Sequence, residues 1–227
     1  MEPIYVLIET GKKRTFASAV DWPGWSRSGR DEESALGALV DYGPRYARVL
    51  QRTKLEFQPP PDGSVFIVSE RLQGNATTDF GAPGIIADAE RGPIDRTEFE
   101  RLSALLKACW GAFDSAVQGA TGKELRKGPR GGGRDLEKIL EHVKGADQGY
   151  MRSLAWKPQQ AGKMNSEEEL RQIREEILSA LEAAVKGELP EQGPRGGKFW
   201  PPRYFVRRLA WHVLDHAWEI EDRLILE

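Results

Sequence analysis

Residues 208–223 read RLAWHVLDHAWEIEDR, and this stretch decides how the second half of the chain is interpreted. Its apolar residues recur at spacings of three and four, which is typical of a helix with one buried face. His212 and His216 are four positions apart, so their imidazoles project from the same face, one turn apart. The chain has only 3 histidines, and this pair is spaced to bind one metal ion.

The third histidine, His142, lies in another helical pattern at about residues 135–154. If this helix and the helix of His212 run parallel, both histidines lie roughly 12 to 15 Å from the same end, at about 1.5 Å per residue. All three imidazoles sit on apolar stripes and should point inward. The sequence therefore predicts a site of three histidines with open positions for water or substrate. The alternative is that they are hydrogen-bonded core residues, because isolated HxxxH pairs are common on helices.

Four apolar stripes predict four helices, starting near residues 95, 135, 166 and 202. Two of them open with capping patterns, at residues 95–98 and at residues 166–169. An antiparallel bundle buries stripes of this kind. We therefore expect residues 95–227 to form an up-down four-helix bundle.

The first part of the chain has the pattern of a small β-rich domain with one helix, at residues 1–74. Residues 4–9 and 15–20 predict a hairpin, and residues 55–57 and 65–68 predict two further short strands. A helix is expected from about Asp31, with a break or kink at Gly43-Pro44. Residues 75–94 are rich in Gly, Ala, Pro and Asp, which indicates a linker or a long ordered connection. The fold class predicted for the whole chain is α+β.

Composition excludes several classes of protein. Lys and Arg total 33 against 35 for Asp and Glu, a formal net charge of −2 that gives no clear sign of nucleic-acid binding. The single cysteine, Cys109, rules out an internal disulfide, and its place on an apolar stripe favours a small buried residue over a nucleophile. No signal peptide and no membrane-spanning stretch of roughly 20 apolar residues is apparent. These observations predict a cytoplasmic protein.

Residues near the histidines are candidates for supporting roles. Asp215 and Glu219 flank the HxxxH pair and could orient an imidazole as hydrogen-bond acceptors. The motif GPRGG occurs twice, at residues 128–132 and 193–197, before the second and fourth predicted helices. In parallel helices these loops would meet, and Arg130 and Arg195 would bind a carboxylate of the substrate. The alternative for both arginines is a solvated loop position.

Two stretches resemble known families. Residues 208–223, with LEKILEHV at residues 136–143, are similar to the DinB-like superfamily. That superfamily includes metal-binding four-helix bundles and thiol-dependent transferases. The resemblance implies His142, His212 and His216 as ligands of a divalent ion, commonly zinc or nickel, with a low-molecular-weight thiol as a possible cofactor. Residues 4–36 resemble the HicB-like fold, which implies a toxin-neutralising or dimerising module. No DNA-binding segment follows it, so a fused accessory or dimerisation module is the milder interpretation.

Two functions follow as hypotheses. The first is a divalent-metal-dependent enzyme acting on a small-molecule substrate, by thiol transfer or hydrolysis, in a chain that could form a homodimer. No catalytic base is identified from the sequence. The second is a non-catalytic interaction protein with an antitoxin-like N-terminal module, in which the metal only stabilises the helices. Open metal positions beneath a pocket favour the first, and a fourth protein ligand favours the second.

Overall fold

The computed structural model describes residues 2–127, 133–158 and 165–225, which form an α+β fold. The strands are β1 (Ile4–Thr10), β2 (Thr15–Ala19), β3 (Ser26–Gly29) and β4 (Phe66–Gln73). The helices are α1 (Glu32–Leu50), α2 (Ala76–Phe80), α3 (Arg96–Ala120), α4 (Leu136–Ser153), α5 (Ser166–Val185) and α6 (Pro202–Arg223). None of the described helices is both long enough and apolar enough to cross a bilayer.

The strands form one sheet in the order β3-β2-β1-β4. The predicted hairpin is confirmed, since β1 pairs antiparallel with β2, and β4 then pairs parallel with β1. The strand expected at residues 55–57 is wrong: these residues are irregular. Phe57 serves side-chain packing instead of a strand. The centre of its ring lies 4.9 to 5.0 Å from the ring centres of Trp22, Trp25 and Tyr46.

The helix expected to end or kink at Gly43-Pro44 instead continues as α1 through Pro44 to Leu50. Tyr46 and Leu50, both beyond the proline, are buried in the core at 0% and 2% exposure. The Tyr46 hydroxyl also donates to the Pro23 carbonyl at 2.9 Å. Packing and this bond offset the backbone hydrogen bond that proline removes from the helix.

Residues 75–94 form an ordered connection that is bonded to both parts of the chain. The buried Glu9 carboxylate on β1 accepts from the backbone N–H groups of Gly84 and Ile85 at 2.9 and 3.0 Å. On the other side, the Arg207 guanidinium of α6 pairs with Glu90, and both side chains are about 5% exposed or less. Breaking such a buried pair leaves an uncompensated charge, so the connection is held firmly against α6.

Contacts at the helix ends show the directions of the helices. Arg203 of α6 pairs with Glu98 of α3 at 2.6 Å near both N-termini. Leu125 and Leu224 form a β-bridge just beyond both C-termini. Helices α3 and α6 therefore run parallel.

Helix α4 runs in the opposite direction to α6. The Arg223 guanidinium at the end of α6 donates to the Arg134 carbonyl before α4, at 2.8 Å. At the other end, the backbone N–H of Trp200, just before α6, donates to the backbone carbonyl of Ser153 at the end of α4, at 2.7 Å. The prediction that these two helices run parallel is wrong.

Helix α5 also runs opposite to α3, because Arg174 pairs with Asp114 while Glu182 pairs with Arg96. Helices α4 and α5 are therefore parallel to each other. The predicted up-down alternation of four helices is wrong in direction, since the order is up, down, down, up. An apolar stripe has no polarity, so the sequence pattern could not distinguish the two arrangements.

The two parts of the chain share one hydrophobic core. It contains Trp25 and Leu39 from the first part together with residues of α3, α4, α5 and α6. The turn before β3 reaches this core directly. A Cβ atom on Gly24 would lie 2.9 Å from Leu214 Cδ1 and 3.3 Å from Cys109 Sγ.

Gly24→Ala should therefore destabilise the protein by about 2 kcal/mol. The added methyl group would be crowded by Leu214 and Cys109, and alanine would be strained in this backbone conformation. Gly24 has φ +96°, a region that favours glycine. Gly37→Ala is the matched control, because a Cβ on this α1 glycine meets nothing within 4 Å. It should be neutral or stabilising, as alanine is the better helix former. Urea unfolding of both variants measures the difference, and equal stabilities would contradict the shared core.

Candidate metal centre

The structure brings His142, His212 and His216 together. Their ring centroids lie 4.7 to 5.0 Å apart, and one ligand atom from each lies within 4.8 Å of the other two. The convergence predicted from sequence is present although α4 and α6 are antiparallel. His142 and His212 both lie near the middle of their helices, and middle positions meet whichever way the helices run.

The nitrogen spacing fits two ligands of one ion. His142 Nε2 and His212 Nε2 are 3.1 Å apart. With metal–nitrogen distances of about 2.05 Å, two ligands are about 2.9 Å apart at a right angle and about 3.4 Å apart at the tetrahedral angle. The observed distance lies between these values. The three histidines therefore lie close enough to hold a metal ion.

The orientation of His216 is set by Glu219, which lies one turn further along α6. His216 Nδ1 lies 2.8 Å from Glu219 Oε2, so Nδ1–H donates and Nε2 remains free to bind metal. Arg223 pairs with the other oxygen of the same carboxylate. The hydrogen bond from His216 and the charge of Arg223 lower the pKa of Glu219 and keep it an ionised acceptor.

Asp215, the other predicted orienting residue, faces a different partner. Its Oδ1 lies 3.3 Å from Arg27 of β3, and that guanidinium lies 3.8 Å from the centre of the Tyr42 ring. Burial raises the pKa of Asp215, with Arg27 opposing the rise. The carboxylate therefore ties α6 to the sheet. Of the two predicted acceptors, Glu219 is the one that contacts an imidazole.

The surroundings of His142 and His212 favour the neutral imidazole, which is the form that binds metals. Burial lowers the pKa of His212 well below its usual value, and the neighbouring histidines, Arg208 and Arg134 lower it further. Burial and then Arg134 also lower the pKa of His142. These two arginines, which sequence reasoning missed, supply positive charge near the site. Arg208 could have been found, since it is four positions before His212 on the same face.

Of the remaining candidates, the described ones, Arg195 and Cys109, do not belong to the histidine cluster. Arg130 falls outside the described residues. Arg195 is exposed in the loop at the N-terminal end of α6, whereas residues 126 and 134, which flank the first GPRGG motif, contact Arg223 at the C-terminal end. The described residues on either side of the first motif therefore lie at the opposite end of α6 from Arg195, and the predicted pairing of Arg130 with Arg195 falls outside the described residues. Cys109 is buried, and burial raises its pKa to about 12, as suits a small core residue.

Aromatic rings line the approach to His212 from the N-terminal end of α6. The Tyr150 ring lies 5.7 Å from His212, and Trp200 lies 5.3 Å from Tyr150. Trp200 is therefore separated from His212 by the ring of Tyr150.

No family model, curated protein or solved structure matches this chain. The resemblances to the DinB-like and HicB-like families therefore stay predictions, carried by the residues quoted for them. The closeness of the three histidines is observed in the structure and does not depend on these resemblances.

Glu219→Gln should weaken metal affinity about 10- to 100-fold, because the carboxylate that orients His216 is lost. Asp215→Asn is the matched control, since it removes a charge next to the same histidine from a carboxylate whose hydrogen bond goes to Arg27 instead. Metal titration with a competing chelator measures both. Equal affinities for the two variants would show that the Glu219 contact has no role in metal binding.

Proposed function

We propose that this chain is a divalent-metal-dependent enzyme that acts on small molecules by thiol transfer or hydrolysis. The observation that carries the proposal is the cluster of His142, His212 and His216, with ligand atoms within 4.8 Å of one another. Zinc and nickel are the ions we propose, since imidazole nitrogen suits both. We also propose that α3, α4, α5 and α6 form a four-helix bundle of the DinB-like kind, and that residues 1–74 are an accessory or dimerisation module.

An open site supports the enzyme over a structural metal. Within residues 2–127, 133–158 and 165–225, the cluster comprises three histidines and no fourth ligand. Structural zinc sites usually have four protein ligands, whereas three protein ligands leave a position for water or substrate. His142 is also half-buried rather than fully enclosed, so one side of the cluster faces solvent.

The chain's own groups would hold and orient the reactants. A bound divalent ion would supply Lewis acidity that lowers the pKa of a thiol or a water molecule. Glu219 fixes the ring of His216, and the positive charge of Arg208 and Arg134 favours an anionic group beside the histidines. The aromatic rings of Tyr150 and Trp200 offer an apolar surface for the body of a substrate.

The proposal is tested by a thiol-adduct screen with purified protein loaded with zinc or with nickel. Glutathione, cysteine, bacillithiol and mycothiol are each combined with an electrophilic fluorogenic bimane and, separately, with hydrolysable esters. Turnover by the wild-type protein that is absent in the His212→Ala variant would support an enzymatic function. Tight metal binding without turnover on any pair would favour the alternative, a non-catalytic protein whose helices the metal stabilises.

A further inference from the structure

A groove of about 690 Å³ runs between the C-terminal half of α1, the turn that follows it, and the outer side of α3. Its floor is formed by Ala104, Ala108 and Ala112 of α3, and Val49 and Leu55 contribute to its apolar walls. All five of these side chains are half-buried. The groove is separate from the histidine cluster, none of whose members lines it.

The rim of the groove is mostly basic, and the acidic residue that lines it, Glu221, is paired with Arg45. Arg48, Arg52, Lys54 and Lys107 line it and are exposed. None of these four forms an ion pair with a residue in the described part of the chain, whereas Arg45 beside them pairs with Glu221 at 2.7 Å. A net charge of −2 over the whole chain makes this concentration of unpaired cations a local feature.

The positions of these groups indicate an elongated ligand. Arg45, Arg48 and Arg52 recur at spacings of three and four on the end of α1, so they form a row along one side. The floor from residue 104 to residue 115 extends about 16 Å along α3, at about 1.5 Å per residue. Small side chains on that floor let a second helix approach closely.

We propose that this groove binds an acidic amphipathic helix of a partner protein. The apolar face of that helix would contact the alanines of α3, and its acidic residues would lie against the unpaired cations Arg48, Arg52 and Lys107. Apolar contact in a groove with charges at the rim is a common mode of helix recognition. Complementary charge would make the association fast and dependent on salt concentration.

Nucleic acid fits the groove less well. Proteins that bind single strands stack bases on exposed aromatic rings, and the aromatic residue lining this groove, Trp218, is only 3% exposed. The apolar floor would also lie unused beneath a phosphate backbone. Duplex DNA, whose phosphates are attracted to any basic surface, serves as the competing ligand in the test.

The test uses the full chain and fluorescence anisotropy with three labelled probes. The first is a synthetic peptide of about 16 residues, a length of about 24 Å as a helix, with leucines on one face and glutamates on the other. The second peptide has lysine in place of every glutamate, and the third probe is duplex DNA. We expect the acidic peptide to bind, with an affinity that falls as salt is raised, and the other two to bind at least about tenfold more weakly.

Variants locate the binding. Arg48→Glu with Arg52→Glu should weaken the acidic peptide about tenfold or more, because attraction becomes like-charge repulsion. Lys12→Glu with Lys123→Glu is the control, since these exposed cations lie outside the groove. Ala108→Phe fills the floor without changing charge and should also weaken binding. The proposal is overturned if the acidic peptide does not bind, if the groove and control variants lose equal affinity, or if DNA binds as tightly as the peptide.

Discussion

His212→Ala is expected to reduce bound metal from about one ion per chain to less than about one tenth of that amount. Two imidazoles remain after the change, and two protein ligands make a poor site for a divalent ion. The measurement is metal content by mass spectrometry after dialysis against a weak chelator. Equal occupancy in wild type and variant would rule out the three-histidine site.

Two further variants separate loss of a ligand from loss of structure. His142→Ala removes a half-buried ligand and should lose metal in the same way, with less disturbance of packing than at His212, which is 6% exposed. Tyr150→Phe keeps its ring 5.7 Å from His212 and lacks only the hydroxyl. It should retain metal, and circular dichroism should show all three variants to be helical.

Asp147→Asn is expected to stabilise the protein at alkaline pH. Asp147 lies on α4 with 0% exposure, and neither carboxylate oxygen has a hydrogen-bond partner among the described residues. Burial raises its pKa to about 7, and the charge of Arg174 opposes this only in part. Each pKa unit corresponds to about 1.4 kcal/mol. Well above pH 7, where Asp147 is ionised in the folded protein, burying its charge therefore lowers the stability of the fold by about 4 kcal/mol.

The sign follows from where the proton is bound. Between about pH 4 and pH 7 the folded chain holds the proton and the unfolded chain does not, so stability falls as pH rises. Asparagine carries no charge at either pH. Relative to wild type, Asp147→Asn should therefore gain about 3 kcal/mol more free energy of unfolding at pH 8 than at pH 5. Urea unfolding of metal-free protein at both pH values measures this gain. Asp88→Asn, at a side chain 88% exposed, is the control and should show no such change. A gain that is constant with pH would mean that the carboxyl is not protonated in the fold.

The sequence predicted the helices of the second part and the meeting of the three histidines, because apolar stripes identify the buried face of a helix. Its prediction of the helix directions was wrong, since an apolar stripe looks the same from either end of a helix. It also missed β3, whose residues Ser26–Gly29 are polar or small and lack the β-branched pattern of a strand. That strand is specified by pairing with β2 rather than by its own composition.

Local geometry could have separated Glu219 from Asp215. A residue three positions along a helix lies beside its partner, whereas adjacent residues point about 100° apart. The helical spacing alone therefore favoured Glu219 as the acceptor for His216. The partner of Asp215 could not be found this way, because Arg27 lies 188 positions away in a strand that the sequence did not indicate.

Helix α4 contributes one histidine and α6 contributes two, and His142 and His212 are 70 positions apart. A metal ion at this centre would act as a reversible cross-link that closes a long loop of the unfolded chain. Its removal would take away one link between α4 and α6, which stay joined through the shared core and the hydrogen bonds at their ends. Amide hydrogen exchange in the metal-free protein should therefore accelerate more in α4 than in α3, because α4 loses a cross-link that α3 does not share. Metal supply would then control the lifetime of one helix, and through it how quickly a protease can cut the chain.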